Sequence, residues 1–167
     1  MYDVHLTKAF FPPQTDAELR DNTVGELLRE VAGRYREATA LVDIALDGTV
    51  GREWNYRQLL ETSERLAGVL VSRFAPGERV VVWAPNIPQW LFLEYACAFS
   101  GLVLVTANPS FQEKELRYVL EQSGAVALFL VDSFRGNAMA DIAQKAIEGN
   151  GQIREVVNLE DETVLFK

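Results

Sequence analysis

From Val80 onward short runs rich in Val, Leu and Ala alternate with helix-length stretches, separated by turns built on Pro, Asn or Gly. The apolar runs are Val80–Trp83, Leu102–Thr106 and Ala125–Val131, and Ile153–Val157 closes the series as a further expected strand. The stretches between them are Ile87–Phe99, opened by Pro88, then Glu113–Gln122 with Leu116, Val119 and Leu120 inward, and Asn137–Ile147 with Met139, Ile142, Ala143 and Ala146 inward. A run that is apolar at every position has no polar face to give to water, so it must be covered on both sides. Strands of that kind, alternating with helices, predict a mostly parallel sheet with right-handed crossovers. The predicted fold class is α/β.

Upstream of Val80 the rhythm differs. Thr23 and Glu26 have capping-box spacing, and Val24, Leu27, Leu28, Val31 and Tyr35 fall on one helical stripe. Ala40–Leu46 and Arg52–Tyr56, joined through Asp47-Gly48, predict a small hairpin. A second helix follows, with Leu59, Leu66 and Leu70 on one face, flanked by Leu60, Ala67 and Val71. Residues 1–22, including Phe10-Phe11-Pro12-Pro13, have no clear period and read as an N-terminal arm; residues 23–167 form the body. No internal repeat or low-complexity tract occurs. The final stretch, Asp161–Lys167, reads as an apolar run with neither cap nor tail, and the natural chain is expected to continue.

Composition removes several function classes. With 24 acidic against 16 basic side chains the net charge is −8, which opposes phosphate-backbone binding and makes a nucleic-acid partner improbable. One Cys, Cys97, excludes an intramolecular disulfide framework and fits a reducing compartment. His5 and Cys97, each alone of its kind, cannot supply the usual zinc site. The start of the chain lacks a basic segment followed by an apolar run, so no secretory signal is expected. Val80–Gln112 carries only Glu94 as a charge, yet Pro85, Asn86, Pro88, Asn108 and Pro109 divide it into pieces too short for a spanning helix of ~20 residues.

Catalytic signatures are missing as well. There is no G-x-G-x-x-G, no Gly followed by Lys, and no Ser centred in G-x-S-x-G. Cys97 lies between Ala96 and Ala98 with no cationic neighbour to make it nucleophilic, and reads as a packed core thiol. The acidic pairs Glu113/Glu115 and Glu160/Asp161 sit in charged runs and read as solvated faces. What remains are the loops after the strands, where an open parallel sheet presents its ligands. These are Ala84–Trp90, Ala107–Phe111 and Asp132–Asn137. Asn86 and Asn108 also fit plain Asx turns ahead of helices.

The order of these loops resembles a family. Trp54-Asn55-Tyr56-Arg57-Gln58-Leu59 resembles the "T-Y-x-E-L" entry of adenylate-forming (AMP-forming) acyl-CoA synthetases, and Leu66-Ala67-Gly68-Val69-Leu70 their next helix. Pro76-Gly77-Glu78-Arg79-Val80 is similar to "G-D-R-V" and Pro85-Asn86-Ile87-Pro88-Gln89-Trp90 to "P-N-S-P-E-W". Gly101–Pro109 is similar to "G-A-V-L-V-T-L-N-P", with Glu113-Lys114-Glu115-Leu116 as "x-x-E-L". The blocks stand in family order over about residues 23–135. Asn55 replaces the usual Thr, Gln89 the usual Glu and Leu102 the usual Ala.

The resemblance implies part of such an enzyme's large N-terminal domain, and an activity in which ATP and Mg²⁺ convert a fatty or other hydrophobic carboxylic acid to an acyl-adenylate before transfer to coenzyme A (CoA). The family's phosphate loop, ribose-binding Asp and catalytic Lys match no residue here, so no catalytic residue is assigned and the 167 residues alone are expected to be inactive. By family position, Ser110 and Arg135 would approach the nucleotide end of CoA, and the Arg fork suits its 3′-phosphate; an exposed turn Arg is the competing reading. A cytoplasmic location is implied, with peripheral membrane contact left open, and the isolated chain could self-associate through an uncovered apolar face. Two alternatives stay open: an aryl-CoA ligase or amino-acid adenylation enzyme, and a stand-alone α/β binding or regulatory module.

Overall fold

The computed structural model describes residues 7, 13, 15–17, 19–45 and 47–167. His5, Phe10, Phe11 and Pro12 of the expected arm lie outside them, as does Leu46.

Helix α1 (Val24–Arg34) opens on the expected capping box: the Thr23 amide donates to Glu26 Oε2 at 2.8 Å, and the Glu26 amide to Thr23 Oγ1 at 3.2 Å. Its buried face overlaps the expected stripe only at Leu28, with Val31 half-buried. Gly25, Leu28 and Ala32 face the core, while Val24, Leu27 and Tyr35 are exposed. Two small residues carry the packing because a helix lies close against them, which a stripe of large apolar residues does not signal.

Strands β1 (Thr39–Ile44) and β2 (Val50–Asn55) form the expected antiparallel hairpin. Its last residue starts helix α2 (Tyr56–Arg73), where the Asn55 side chain accepts from the Gln58 amide at 2.8 Å and the Gln58 side chain accepts from the Asn55 amide at 3.0 Å. Asn therefore serves as well as the family's Thr at this position. Leu59, Ser63, Leu66, Ala67 and Leu70 are buried along α2, whereas Val71 faces outward. Trp54 meets Phe92 edge-on at 5.5 Å and joins the hairpin to the core.

The main sheet contains β3 (Arg79–Trp83), β4 (Val103–Thr106), β5 (Ala127–Leu130) and β8 (Glu155–Asn158). All neighbours are parallel, in the order β4-β3-β5-β8. Helix α3 (Pro88–Ser100) carries the chain from β3 outward to β4, and α4 (Glu113–Ser123) carries it back past β3 to β5. Right-handed crossovers in opposite directions put α3 and α4 on opposite faces of the sheet. Accordingly α1 and α2 pack with α3, and α5 (Met139–Ile147) packs with α4.

The central strands behave as the sequence predicts: Val80–Trp83 and all of β5 are buried. Strand β4 does not. It stands at the edge of the sheet, and Val103 is 48% exposed. Residues 133–138, expected to lead straight into a helix from Asn137, instead fold into a short hairpin of β6 (Ser133–Phe134) and β7 (Asn137–Ala138), and α5 starts at Met139. Strand β8 starts at Glu155 rather than Ile153. The terminal stretch, expected to lack a cap, forms a one-turn helix α6 (Glu162–Leu165); Asp161 caps it by accepting from the Thr163 amide at 3.0 Å, and Leu165 is buried.

Candidate functional site

The carboxyl ends of β3, β4 and β5 point to one rim, and the chain reverses its direction of travel across the sheet between β3 and β5. That reversal opens the loops on either side, which is where open α/β sheets hold ligands. The loop after β4 is fixed from two directions. The buried Trp83, last residue of β3, donates its indole N–H to the Asn108 carbonyl at 2.8 Å. The Asn108 side chain accepts from the Ser110 amide at 2.9 Å, an Asx turn that holds the Asn-Pro-Ser segment in shape. Helix α4 then begins with the Gln112 amide held by the Glu115 carboxylate at 2.7 Å.

The loop after β5 is the β6–β7 hairpin, and its two-residue tip is Arg135-Gly136. Both have positive φ, +47° and +84°. Positive φ at both tip positions is the type I′ turn, whose twist matches a tight hairpin; Gly accepts it without cost, while Arg holds it at a cost. The Arg135 guanidinium lies 5.1 Å over the Phe134 ring, and among the described residues no carboxylate pairs with it.

The two loops are joined directly. Gln112 Nε2–H donates to Asn137 Oδ1 at 3.1 Å. The structure thus sets the two sequence-predicted residues on linked segments, Ser110 two positions before Gln112 and Arg135 two positions before Asn137. Both are exposed. The Ser110 hydroxyl makes no hydrogen bond among the described residues, so a hydroxyl and a cation remain free to meet an anion. Trp83, Gln112 and Asn137, which set this geometry, carry no motif of their own.

Asn86, in the loop after β3, behaves differently from Asn108. It is exposed and lines a cleft of about 370 Å³ with Leu41, Ile44 and Trp90, between β1 and the start of α3.

The remaining candidates are structural. Burial pushes the Cys97 thiol up to about 12, with the nearby Glu94 charge adding to it, so no thiolate forms near neutrality. Glu113 pairs with Arg117 at 3.1 Å, and Glu115 is spent on the start of α4. Hydrogen bonds from Thr163 hold the Asp161 carboxyl below the ordinary carboxylate range. Among the described residues, no group of three or more His, Cys, Asp or Glu could hold a metal ion, and no helix is long and apolar enough to cross a membrane.

Comparison with known proteins gives this architecture a family. The AMP-binding enzyme profile matches residues 28–165. The YngI protein of Bacillus subtilis (strain 168), assigned as an acyl-CoA synthetase, is 37% identical over 132 residues, covering 78% of this chain and 23% of that protein. The mitochondrial medium-chain acyl-CoA ligase ACSF2 of Mus musculus is 31% identical over 138 residues, covering 82% of this chain and 22% of that one. Among solved structures, the N-terminal domain of FACL13 from Mycobacterium tuberculosis superposes with a TM-score of 0.73 at 22% identity, over 87% of this chain and 36% of that one, a likeness of fold. The chain spans less than a quarter of the length of these two curated relatives. With the profile running from helix α1 to helix α6, the chain belongs to the AMP-binding enzyme family.

Proposed function

We propose that this chain is part of an ATP-dependent, AMP-forming acyl-CoA synthetase, and that residues 23–167 contribute to its N-terminal domain behind an arm of residues 1–22. The observation that carries this reading is the family profile over residues 28–165, joined by relatives named as an acyl-CoA synthetase and a medium-chain acyl-CoA ligase. The whole protein would activate a fatty or other hydrophobic carboxylic acid with ATP and Mg²⁺, and pass the acyl group to CoA. No residue described here is assigned to Mg²⁺ or to the adenylation chemistry, and the 167 residues alone would be inactive.

Ser110 and Arg135 are assigned to the nucleotide end of CoA. Their support is the free guanidinium and free hydroxyl on two loops tied by Gln112 and Asn137. A planar guanidinium binds a phosphate bidentately, and among the described residues no carboxylate competes for it. The protein would work in the cytoplasm, with or without peripheral membrane contact. The isolated chain would self-associate through its apolar edge strands, where Val103 and Val156 are exposed.

The test uses the whole protein. ATP–pyrophosphate exchange is measured with fatty, aryl and amino acids, followed by thioester formation with CoA. Exchange with fatty acids and a CoA thioester as product support the proposal. Exchange with only aryl or amino acids moves the substrate to another adenylate-forming class, and no exchange with any acid favours a non-catalytic α/β module.

A further inference from the structure

A polar cleft of about 260 Å³, whose lining includes neither Ser110 nor Arg135, lies between β2, α2, the start of α3 and α6. Arg52 and Arg65 both line it. The Arg52 guanidinium lies 4.8 Å over the Trp54 ring, and that of Arg65 lies 4.0 Å over the Phe166 ring. Among the described residues neither makes an ion pair. Other arginines lack an ion pair too, Arg34, Arg79 and Arg135 among the described residues, but Arg52 and Arg65 are the two that line one cleft. Two cations kept unpaired on one cleft repel each other unless an anion joins them. Stacking on a ring leaves the edge of each guanidinium free and its orientation set, the arrangement that favours bidentate binding.

Thr62 and Gln89, both with hydrogen-bond donors, also line the cleft, and Glu162 is the one acidic residue among its lining. Two cations against one anion leave a single positive charge for a ligand. We propose that this cleft is an oxyanion site, taking the phosphate or carboxylate group of a small molecule between Arg52 and Arg65. The proposal rests on no feature of the acyl-CoA synthetase reading.

The test is an NMR titration of the 167-residue chain, with inorganic phosphate in one arm and acetate in the other, at constant ionic strength set by chloride. Saturable shifts are expected at the Arg52 and Arg65 Nε–H, the Trp54 indole and the Gln89 side-chain amide. Arg52→Ala or Arg65→Ala should weaken binding about tenfold or more, the value of a lost charge-assisted hydrogen bond. Arg52→Lys and Arg65→Lys, which keep charge and fold, should lose part of the affinity. Glu162→Gln should tighten it. Tighter phosphate assigns a phosphate ester, and equal or tighter acetate assigns a carboxylate. Shifts that stay linear, that appear equally at Arg34, or that survive both Lys substitutions unchanged overturn the site.

Discussion

Gln112 Nε2 donates to Asn137 Oδ1 across 3.1 Å, joining the start of α4 to the second strand of a hairpin 25 residues later in the chain. The loop that holds Ser110 and the turn that holds Arg135 are thereby parts of one rim, although each belongs to a different crossover. An exposed hydrogen bond of this kind contributes about 1 kcal/mol or less to stability, so its effect is chiefly on position.

The Arg135 backbone gives a way to separate its charge from its structural role. At φ +47° an Arg is strained and a Gly is not. Arg135→Gly should therefore leave the fold as stable or raise it by up to ~1 kcal/mol, while removing the guanidinium. On the proposed CoA reading, the same variant in the whole protein should raise the KM for CoA by about tenfold or more, the value of a charge-assisted hydrogen bond to phosphate, with adenylation nearly unchanged. Dephospho-CoA is the control, since wild type and variant should treat it alike. Equal losses with both thiols, or a fall in ATP–pyrophosphate exchange, would show that Arg135 does not read the 3′-phosphate.

Gly25 tests the unexpected face of α1. A methyl group added there would stand 2.7 Å from two ring carbons of Phe99. The Phe99 ring is also covered by Arg29, whose guanidinium lies 4.6 Å away and holds Glu64 at 2.8 Å, so it cannot swing aside freely. Ala is the better helix former by ~1 kcal/mol, yet overpacking of this kind costs about 1–3 kcal/mol, so Gly25→Ala should destabilise on balance. Urea unfolding of the single variant and of the pair Gly25→Ala/Phe99→Leu decides the matter. The pair should recover part of the loss, and a single variant as stable as wild type would refute the contact.

The class of fold was legible because burial on both faces writes itself into sequence. Val80-Val81-Val82-Trp83 and Ala127–Leu130 have no position to spare for a polar side chain, and both are buried in the sheet centre. The cap of α1 was equally legible: Thr23 and Glu26 did what their spacing predicts, whereas the Asp161 cap of α6 was missed. Edge position was not, since Val103 and Val105 look like Val80 and Val81 until the strand order is known. The inward face of α1 was missed because Gly25 and Ala32 carry no weight in a pattern of large apolar residues. Of the candidate site, Ser110 and Arg135 came from family resemblance. The Gln112–Asn137 link and the Trp83–Asn108 bond join positions 25 apart, and no local spacing rule reaches that far.

Ser63 is a local defect that can be repaired. It is fully buried on the inward face of α2, and among the described residues its hydroxyl has no hydrogen-bond partner. A desolvated hydroxyl left unpaired costs about 1–3 kcal/mol, whereas Ala at the same site removes the polar atom and is the better helix former. Ser63→Ala should therefore raise the thermal midpoint, by about 2–4 °C per kcal/mol gained in a domain of this size. A lowered midpoint would mean that the hydroxyl is paired in solution.

Cys97 makes the stability of the chain depend on alkaline pH. Its thiol is 1% exposed and is held protonated up to about 12, against 9.0 for a free thiol, chiefly by burial and then by the charge of Glu94. Between those two values the unfolded chain releases a proton that the folded chain keeps, so the unfolded state binds fewer protons and stability must fall as pH rises. Below pH 9 the thiol is protonated in both states and contributes no slope. Above it the loss approaches about 1.4 kcal/mol per pH unit and continues until the folded-state value is reached. Tyr95, also raised by burial, adds a slope of the same sign, so the measurement must be a difference. Urea unfolding at pH 8 and pH 10.5 should show a larger decline for wild type than for Cys97→Ala. The variant begins lower, by the cost of the small cavity it leaves. An aromatic disulfide reagent should leave the folded wild type unmodified at pH 8 and react fully once urea unfolds it. Identical pH slopes for the two proteins, or rapid modification of the folded chain, would place the thiol in contact with water and not in the core between α3 and the sheet.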